Sequence, residues 1–569
     1  MKRFLIVFGL FAVFASYAFA AGTCTAGALA EAAAGTTPVT ISGCWYVDFT
    51  SGLDSNAGTT EGAPFLHAPG MHNCTSSCAS ATVAAGNGVI VKGGTSCGNA
   101  CFEWNLSSGS SGTPTYYGVD KTWFTGGSWA RPILTAGGTT IGNNDNTMIS
   151  LAANVTFDNF EITGFFWSGA SGQTCVGAPY GDCGIFNAGQ NSGQVWENLY
   201  IHGWTHAGTD STYCSGNTCI VPNVFSLGGG GTSIVHDSVI SGADVSGDHS
   251  MTAWFDGPPV AYNNVCIQMA SCGIVDFATS YHDNLISNIG PAWCNTPSVT
   301  GCTHENGFED NGDTGLNFYN NVIANVHAGL ALWIAPYPTF TVNVFNNVMY
   351  GNDLGGDGNV IDMAPPVYVA GDCPQGSTGN NYCLAAGNYV FYNNTVECGS
   401  DSTLYDSCQA NVGVIGSGSI ANSVLLENNH YITAAGSAAS CSTATGHATT
   451  CTVTDNTVQT LSVANGQGYN SSQAYAFFPT TGGSTIGAGA NLTGSWPIGS
   501  TNDTDYACTD VSNVAICPAR ISNTRPASGS WNSGAYQFVQ GNGAPCIACM
   551  FAYDAHGTWR TTEKCCKGQ

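Results

Sequence analysis

Between residues 304 and 325 the chain reads HENGFEDNGDTGLNFYNNVIAN. One histidine and four acids, His304, Glu305, Glu309, Asp310 and Asp313, stand directly before a run with the apolar alternation of a strand. Upstream, TAWFDG (252–257) and CGIVDF (272–277) carry Asp256 and Asp276, each seven residues before Asn263 and Asp283 in the recurring turn motif described below. If those motifs stack, Asp256 and Asp276 face the same way on successive layers. Glu309 joins them through a turn four residues longer, chosen over Asp310 because Phe308 then points inward with Phe255 and Val275. Trp333 in GLALWIA continues the outward column, Asn187 begins it, and Trp254 adds a second indole for contact with a substrate.

Three kinds of chemistry fit this column. Carboxylates one layer apart, about 5 Å, suit retaining glycoside hydrolysis, and two layers apart, about 10 Å, approach the inverting range. Close like charges keep one partner protonated beside an ionised one, which is what acid and base catalysis requires. The same oxygens suit Ca²⁺, with Glu305, Asp310 and Asp313 as further donors. The third reading is a row of solvated acids with no role. His304 is the first candidate base for an elimination; His202, His206 and His249 rank behind it. His236, Asp237 and Ser238 adjoin in sequence, but their place in the turn motif argues against a nucleophilic triad.

The elements that must position these groups are read from a repeat. An aromatic residue or His, then Asn, Asp or Glu, then usually Asn, then an apolar residue recurs as FDNFEITG at 157, WENLYIHG at 196, HDSVISG at 236, YNNVCIQ at 262 and HDNLISN at 282. It continues as YNNVIAN at 319, FNNVMYG at 345 and YNNTVEC at 392, with a weaker ENNHYIT at 427. Short alternating strands at irregular spacing, without runs of helix-forming residues, predict an all-β solenoid, a parallel β helix, whose right-handed form is what the family resemblance given below implies. Rungs about 4.8 Å apart would align the repeated asparagines as a hydrogen-bonded turn ladder.

WYVDFTSGLDSNAGTTEGAPF (45–65) resembles the entry motif of secreted β helices of the pectate lyase-like superfamily, and TRPASGSWNSGAYQF (524–538) resembles their closing strand. GVIVKGG at 88 and ARPILTAGG at 130 resemble the first coils. The resemblance implies the fold and a carbohydrate context; it does not choose among lyases, hydrolases, epimerases, tailspikes and non-catalytic members. Polygalacturonase-like members work through grouped aspartates, but their sequence blocks are missing here.

Composition narrows the partners. Lys2 and Arg3, the apolar run from Phe4 to Phe14 and the small residues ending at Ala20 read as a secretory signal peptide, so the expected location is extracellular or at the cell surface. Without Lys2 and Arg3 the balance is 8 basic against 36 acidic residues, and no Lys or Arg lies between Arg131 and Arg520. Such a surface repels nucleic acid and anionic membranes, and no later run is apolar for long enough to span a bilayer. Elimination with a basic residue is disfavoured for the same reason, since only Lys92, Lys121 and Arg131 lie near the first coils. All 26 cysteines follow the signal segment and fall into neighbour pairs, from Cys24 with Cys44 and Cys74 with Cys78 to Cys266 with Cys272 and onward, which predicts disulfides clipping short loops.

The expected organisation is a signal peptide at 1–20, a cap and first coils at 21–130, a helix body at 131–435, last coils and a closing strand at 436–540, and a Cys-containing tail at 541–569. The expected function is cleavage of a neutral or weakly charged polysaccharide, with Asp256, Asp276, Glu309 and His304 as catalytic candidates. Trp333, Trp254 and Asn187 would bind the sugar, and Glu305, Asp310 and Asp313 would hold a cation, Ca²⁺ if any. The alternatives are a non-catalytic adhesin or glycan-binding protein and a polysaccharide lyase.

Overall fold

The computed structural model describes residues 20–35, 37–98, 104–135, 140–141, 147–150, 152–164, 166–167, 184–187, 192–203, 205–206, 223–226, 232–242, 252–255, 258–269, 271–275, 278–289, 306–310, 315–326, 331–334, 340–352, 361–363, 385–398, 420–433, 448–471, 473, 475–495, 502–504, 522–539, 551–553 and 559–561. Among these residues three long sheets run side by side. Sheet 1 has thirteen strands, from Gly43–Val47 to Ala448–Thr454; sheet 2 has eleven, from Ile133–Thr135 to Thr457–Thr460; sheet 3 has nine, from Trp104–Asn105 to Ile361–Met363. A representative rung passes through Ser280–His282 in sheet 1, Leu285–Ile289 in sheet 2 and Phe308–Asp310 in sheet 3, then returns to sheet 1 at Asn317–Tyr319. Each strand pairs in parallel with the same strand of the next rung, as in Ser280↔Asn317, Leu285↔Val322 and Phe308↔Leu332. The chain is a right-handed parallel β helix, as the repeat and the family resemblance predict.

Alternation within each short strand fills the interior. Phe157, Trp196, Val235, Ala261, Tyr281, Phe318 and Val344 form one buried column of sheet 1. Trp104 meets Tyr117, Phe157 and Phe160 edge-on. Tyr281 keeps its hydroxyl bonded inside this apolar space by donating to the Pro258 carbonyl at 2.6 Å.

The turn from sheet 1 to sheet 2 is built from the doubled asparagine. Asn264, Asn284, Asn321, Asn347, Asn394, Asn429 and Asn456 stack as an amide ladder. From Asn284 onward the Oδ1 of each accepts both the backbone N–H and the Nδ2 of the ladder residue on the preceding rung, as Asn284 does from Asn264 at 3.0 and 3.1 Å. The residue before each ladder amide, Asn263, Asp283, Asn320, Asn346, Asn393, Asn428 or Asp455, has φ between 54 and 58°. Only glycine, asparagine and aspartate enter that left-handed region readily, so the two asparagines of each pair do different work. The ladder therefore sits one residue later than Asn263 and Asp283, where the sequence reading placed it.

A second shift concerns the first two copies of the motif. Register pairs Asp158 with Glu197 and Glu197 with His236. In FDN and WEN it is thus the acids, not Phe157 and Trp196, that occupy the column held elsewhere by His and Tyr. Apolar flanks of both motifs look alike by periodicity, and only the positive φ of Asn159 and Asn198 distinguishes the frames.

Both described ends are closed by added segments. Helix α1 (Ala26–Ala34) starts at Thr25, whose Oγ1 accepts from Ala28 N–H at 3.2 Å, and it buries Ala28 and Ala32 against Ile41, Tyr46, Ile90 and Tyr116. The Cys24–Cys44 disulfide ties it to the first strand; Cys74–Cys78 and Cys266–Cys272 are also closed. At the other end Ala464, Tyr475, Phe477 and Tyr536 pack on Val322, Val348 and Tyr350 of sheet 2, while Leu492 and Trp531 cover Phe345 and Tyr392 of sheet 1. No helix among the described residues is long and apolar enough to cross a membrane.

Candidate functional site

Strand register in sheet 3 decides which predicted residues share a column. Asn187 pairs with Ser226, Ser226 with Phe255, Phe255 with Ile274, Ile274 with Glu309, Glu309 with Trp333 and Trp333 with Asp362. Asn187, Glu309 and Trp333 therefore lie in one column, Glu309 and Trp333 on successive rungs. Asp362 follows on the next; sequence reasoning missed it, although its strand IDM carries one acid between two apolar residues.

In the lower half of the column only the strands before the predicted acids are described. Asp256 and Asp276 lie outside the described residues, as do His304, Glu305 and Asp313. The strands leading into Asp256 and Asp276 are nevertheless offset, because Phe255, not Trp254, is level with Ile274. The chain reaches Val260 five residues after Phe255 but Ser280 six residues after Ile274, and Val260 pairs with Ser280. In backbone register Trp254 is level with Phe225 and Gly273, the row that leads on to buried Phe308.

Glu309 is not solvent-facing: it is 1% exposed, and its Oε2 accepts from Asn306 Nδ2 at 2.9 Å. Asp310 alternates to the other face, level with Val275 and Ile334 of the core, and is fully buried. Burial first, and the Asp310 charge second, hold the Tyr281 hydroxyl well above the usual phenol range. Of the three proposed cation donors only Asp310 is described, and an inward carboxylate in a core column is a poor start for a six- to eight-oxygen calcium shell. No group of three or more His, Cys, Asp or Glu side chains suited to a metal occurs among the described residues.

A second polar assembly lies on sheet 1 under α1. The Tyr116 hydroxyl donates to Asp158 Oδ2 at 2.7 Å, and Asn159 and Asn198 donate to its Oδ1. Burial, then the neighbouring Glu197 carboxylate, push Asp158 up to about 6. His236 is fully buried between Glu197 (Nε2 to Oε2, 3.1 Å) and Asp237 (Nδ1 to Oδ2, 2.7 Å). Burial alone would lower it, but the two carboxylates prevail and raise it to about 9, so it is an imidazolium at neutral pH. Ser238 Oγ bonds instead to the His236 carbonyl and the Leu199 N–H, which removes any nucleophilic triad.

From His236 a stack of parallel rings climbs sheet 1 through Tyr262, His282, Tyr319, Phe345 and Tyr392, with centroid spacings of 4.7, 5.0, 4.6, 4.8 and 4.9 Å. On sheet 2, His202 Nε2 lies 3.0 Å from Glu161 Oε1, and its ring stacks on Tyr200. The basic side chains near the first coils are engaged. Lys92 bonds Asp48 at 2.9 Å, Lys121 pairs with Glu31 at 2.8 Å, and buried Arg131 donates Nε–H to the Asn198 carbonyl.

No protein-family model and no curated protein sequence matches the chain. Among solved structures it is similar to a pectate lyase, at 14% identity over 82% of this chain and 97% of that one, with a TM-score of 0.38. It is also similar to a GH136 lacto-N-biosidase from Eubacterium ramulus (13% identity, 74% and 68% covered, TM-score 0.37) and to a PL6-family polysaccharide lyase from Pseudopedobacter saltans (10%, 66% and 89%, 0.29). The chain's own strand pairing shows the right-handed parallel β helix.

Proposed function

We propose that the protein is a secreted carbohydrate-active β helix that cleaves a neutral or weakly charged polysaccharide laid along sheet 3. The observation that carries this reading is the matched register of Glu309, Trp333 and Asp362 on three successive rungs. Two rungs separate the acidic positions by about 10 Å, close to the spacing that leaves room for a water between an acid and a base in inverting hydrolysis. In this reading Glu309 and Asp362 divide the acid and base roles, and Trp333 between them is the sugar platform. Asp256 and Asp276 remain candidates for further carboxylates on the lower rungs.

Hydrolysis is favoured over elimination by a basic residue because Lys92, Lys121 and Arg131 are held by Asp48, Glu31 and the Asn198 carbonyl. The acidic balance of the chain disfavours polyanionic substrates. The likenesses to glycan-degrading enzymes agree with the substrate class, and the leader-like N-terminus with its nearby disulfide supports export. One observation favours the rival, non-catalytic glycan binder: Glu309 is buried and engaged by Asn306.

Purified protein offered a panel of neutral glycans and uronates should release reducing ends, with no ultraviolet-absorbing product. Glu309→Gln should lower that rate by about 10²-fold or more. Binding without product in either protein would select the binder, and an ultraviolet-absorbing product would select a lyase.

A further inference from the structure

The ring stack of sheet 1 is closed at both ends and open in the middle. Below, His236 is sealed with Glu197, whose Oε1 lies so close to the Gly35 backbone that a Cβ there would meet it at 2.5 Å. Above, Phe345 and Tyr392 are buried by Leu492 and Trp531. Between these closures Tyr262, His282 and Tyr319 are half-buried, as are Ser280 and Asn317 two residues earlier on their strands. The result is a three-rung window whose rings present their edges, not their faces, to solvent.

His282 is the centre of that window. Its Nδ1 lies 2.5 Å from Asp283 Oδ2, and its ring is clamped between Tyr262 and Tyr319, nearly parallel to both. That contact occupies Nδ1 and leaves Nε2 as the ring nitrogen open to a ligand. The His282 side chain is 21% exposed, and Nε2 has no hydrogen-bond partner among the described residues. Two phenols flank this ring at the rung spacing, and the Ser280 hydroxyl and Asn317 amide form a second row beside it.

Acceptors and donors repeating every 4.6 to 5.0 Å along the helix axis suit a linear ligand that carries hydroxyls at a similar repeat. Asp237 and Asp283 border the window, which disfavours an anionic polymer, and no described carboxylate or histidine group there forms a metal set. We propose that this window is a second binding site, for a neutral glycan lying along the helix axis, in which His282 Nε2 and the hydroxyls of Tyr262 and Tyr319 hydrogen-bond to successive sugar hydroxyls. It shares the ligand class of the proposed function but occupies a different sheet, so each reading can fail alone.

The test uses Glu309→Gln protein, to prevent turnover, with a panel of neutral gluco-, xylo-, manno- and galacto-oligosaccharides. Carbethoxylation of each histidine by diethyl pyrocarbonate is followed by peptide mass spectrometry. An oligosaccharide that binds should slow modification of His282 about tenfold when present at ten times its Kd, while exposed His72 keeps its rate. Tyr319→Phe, which keeps the stack, should weaken binding several-fold, and His282→Ala about tenfold. Binding that leaves the His282 rate unchanged, or no binding by any member of the panel, overturns the proposal. Protection of His282 in a protein whose wild type cleaves nothing would retain this site and remove only the hydrolytic reading.

Discussion

The same dipeptide, His-Asp, occurs twice in one ring stack, at 236–237 and 282–283, and the two copies are used in opposite ways. In both, the aspartate sits in the left-handed turn, with φ of 49° and 55°, and holds its histidine through Nδ1. His236 has a second carboxylate, Glu197, on its other nitrogen and no exposure. His282 has a tyrosine ring above and below and its other nitrogen toward solvent. The contrast teaches that the rung geometry copies backbone and side-chain direction, while the neighbouring rung decides whether a copied histidine is sealed between two carboxylates or left partly exposed between two rings.

The largest way to break the comparison is Glu197→Ala. It leaves the His236 cation buried with one partner fewer and should destabilise the protein by about 3–5 kcal/mol in chemical denaturation. A loss near zero would mean that His236 is neutral and the two sites are alike.

Next comes pH. His236 is raised from 6.5 to about 9, so the stability it contributes is complete below pH 6.5 and lost as pH rises through 9, about 3 kcal/mol in all. Asp158, raised from 3.8 to about 6, adds a loss of the same sign between those values. Buried His430 runs the other way: burial lowers it to about 4, and its contribution disappears as pH falls from 6.5 through 4. Stability should therefore be greatest in mildly acidic solution, and His236→Gln should flatten the alkaline limb of a melting-temperature profile.

The paired asparagines give a third test on one turn. Asn394 holds five hydrogen bonds through its amide, three of them to Asn429 or from Asn347, whereas Asn393 only needs its positive φ. Asn394→Ala should cost about 3 kcal/mol and Asn393→Gly under about 1 kcal/mol. The smallest effect is expected at the open site. Asp283→Asn keeps the turn residue and disturbs only a partly exposed pair, so its stability change should stay within about 1 kcal/mol while the His282 carbethoxylation rate changes.

The repeat made the fold legible, because short alternating segments closed by Asn pairs have few other ways to bury their apolar faces. Phase was harder to read. YNN contains two asparagines at equal spacing, and nothing in periodicity distinguishes the turn residue from the ladder amide. FDN and WEN offer an aromatic one position early, which hid Asp158 and Glu197 in the ring column and with them the buried cluster around His236. Glu309 and Trp333 pair in backbone register, but Glu309 is buried rather than solvent-facing as strand alternation predicts. The Asp256 and Asp276 alignment rested on equal counts to the turn, whereas the described strands before them reach the paired Val260 and Ser280 over five and six residues. Turn length is set by backbone packing at each corner, which residue types alone do not encode.

The proposed carboxylate arrangement meets its most direct test in the stereochemistry of the first product. Proton NMR during the early turnover of a neutral glycan should show the inverted anomer, as acids two rungs apart on either side of Trp333 require. A retained anomer, or no cleavage of any neutral glycan, would contradict it.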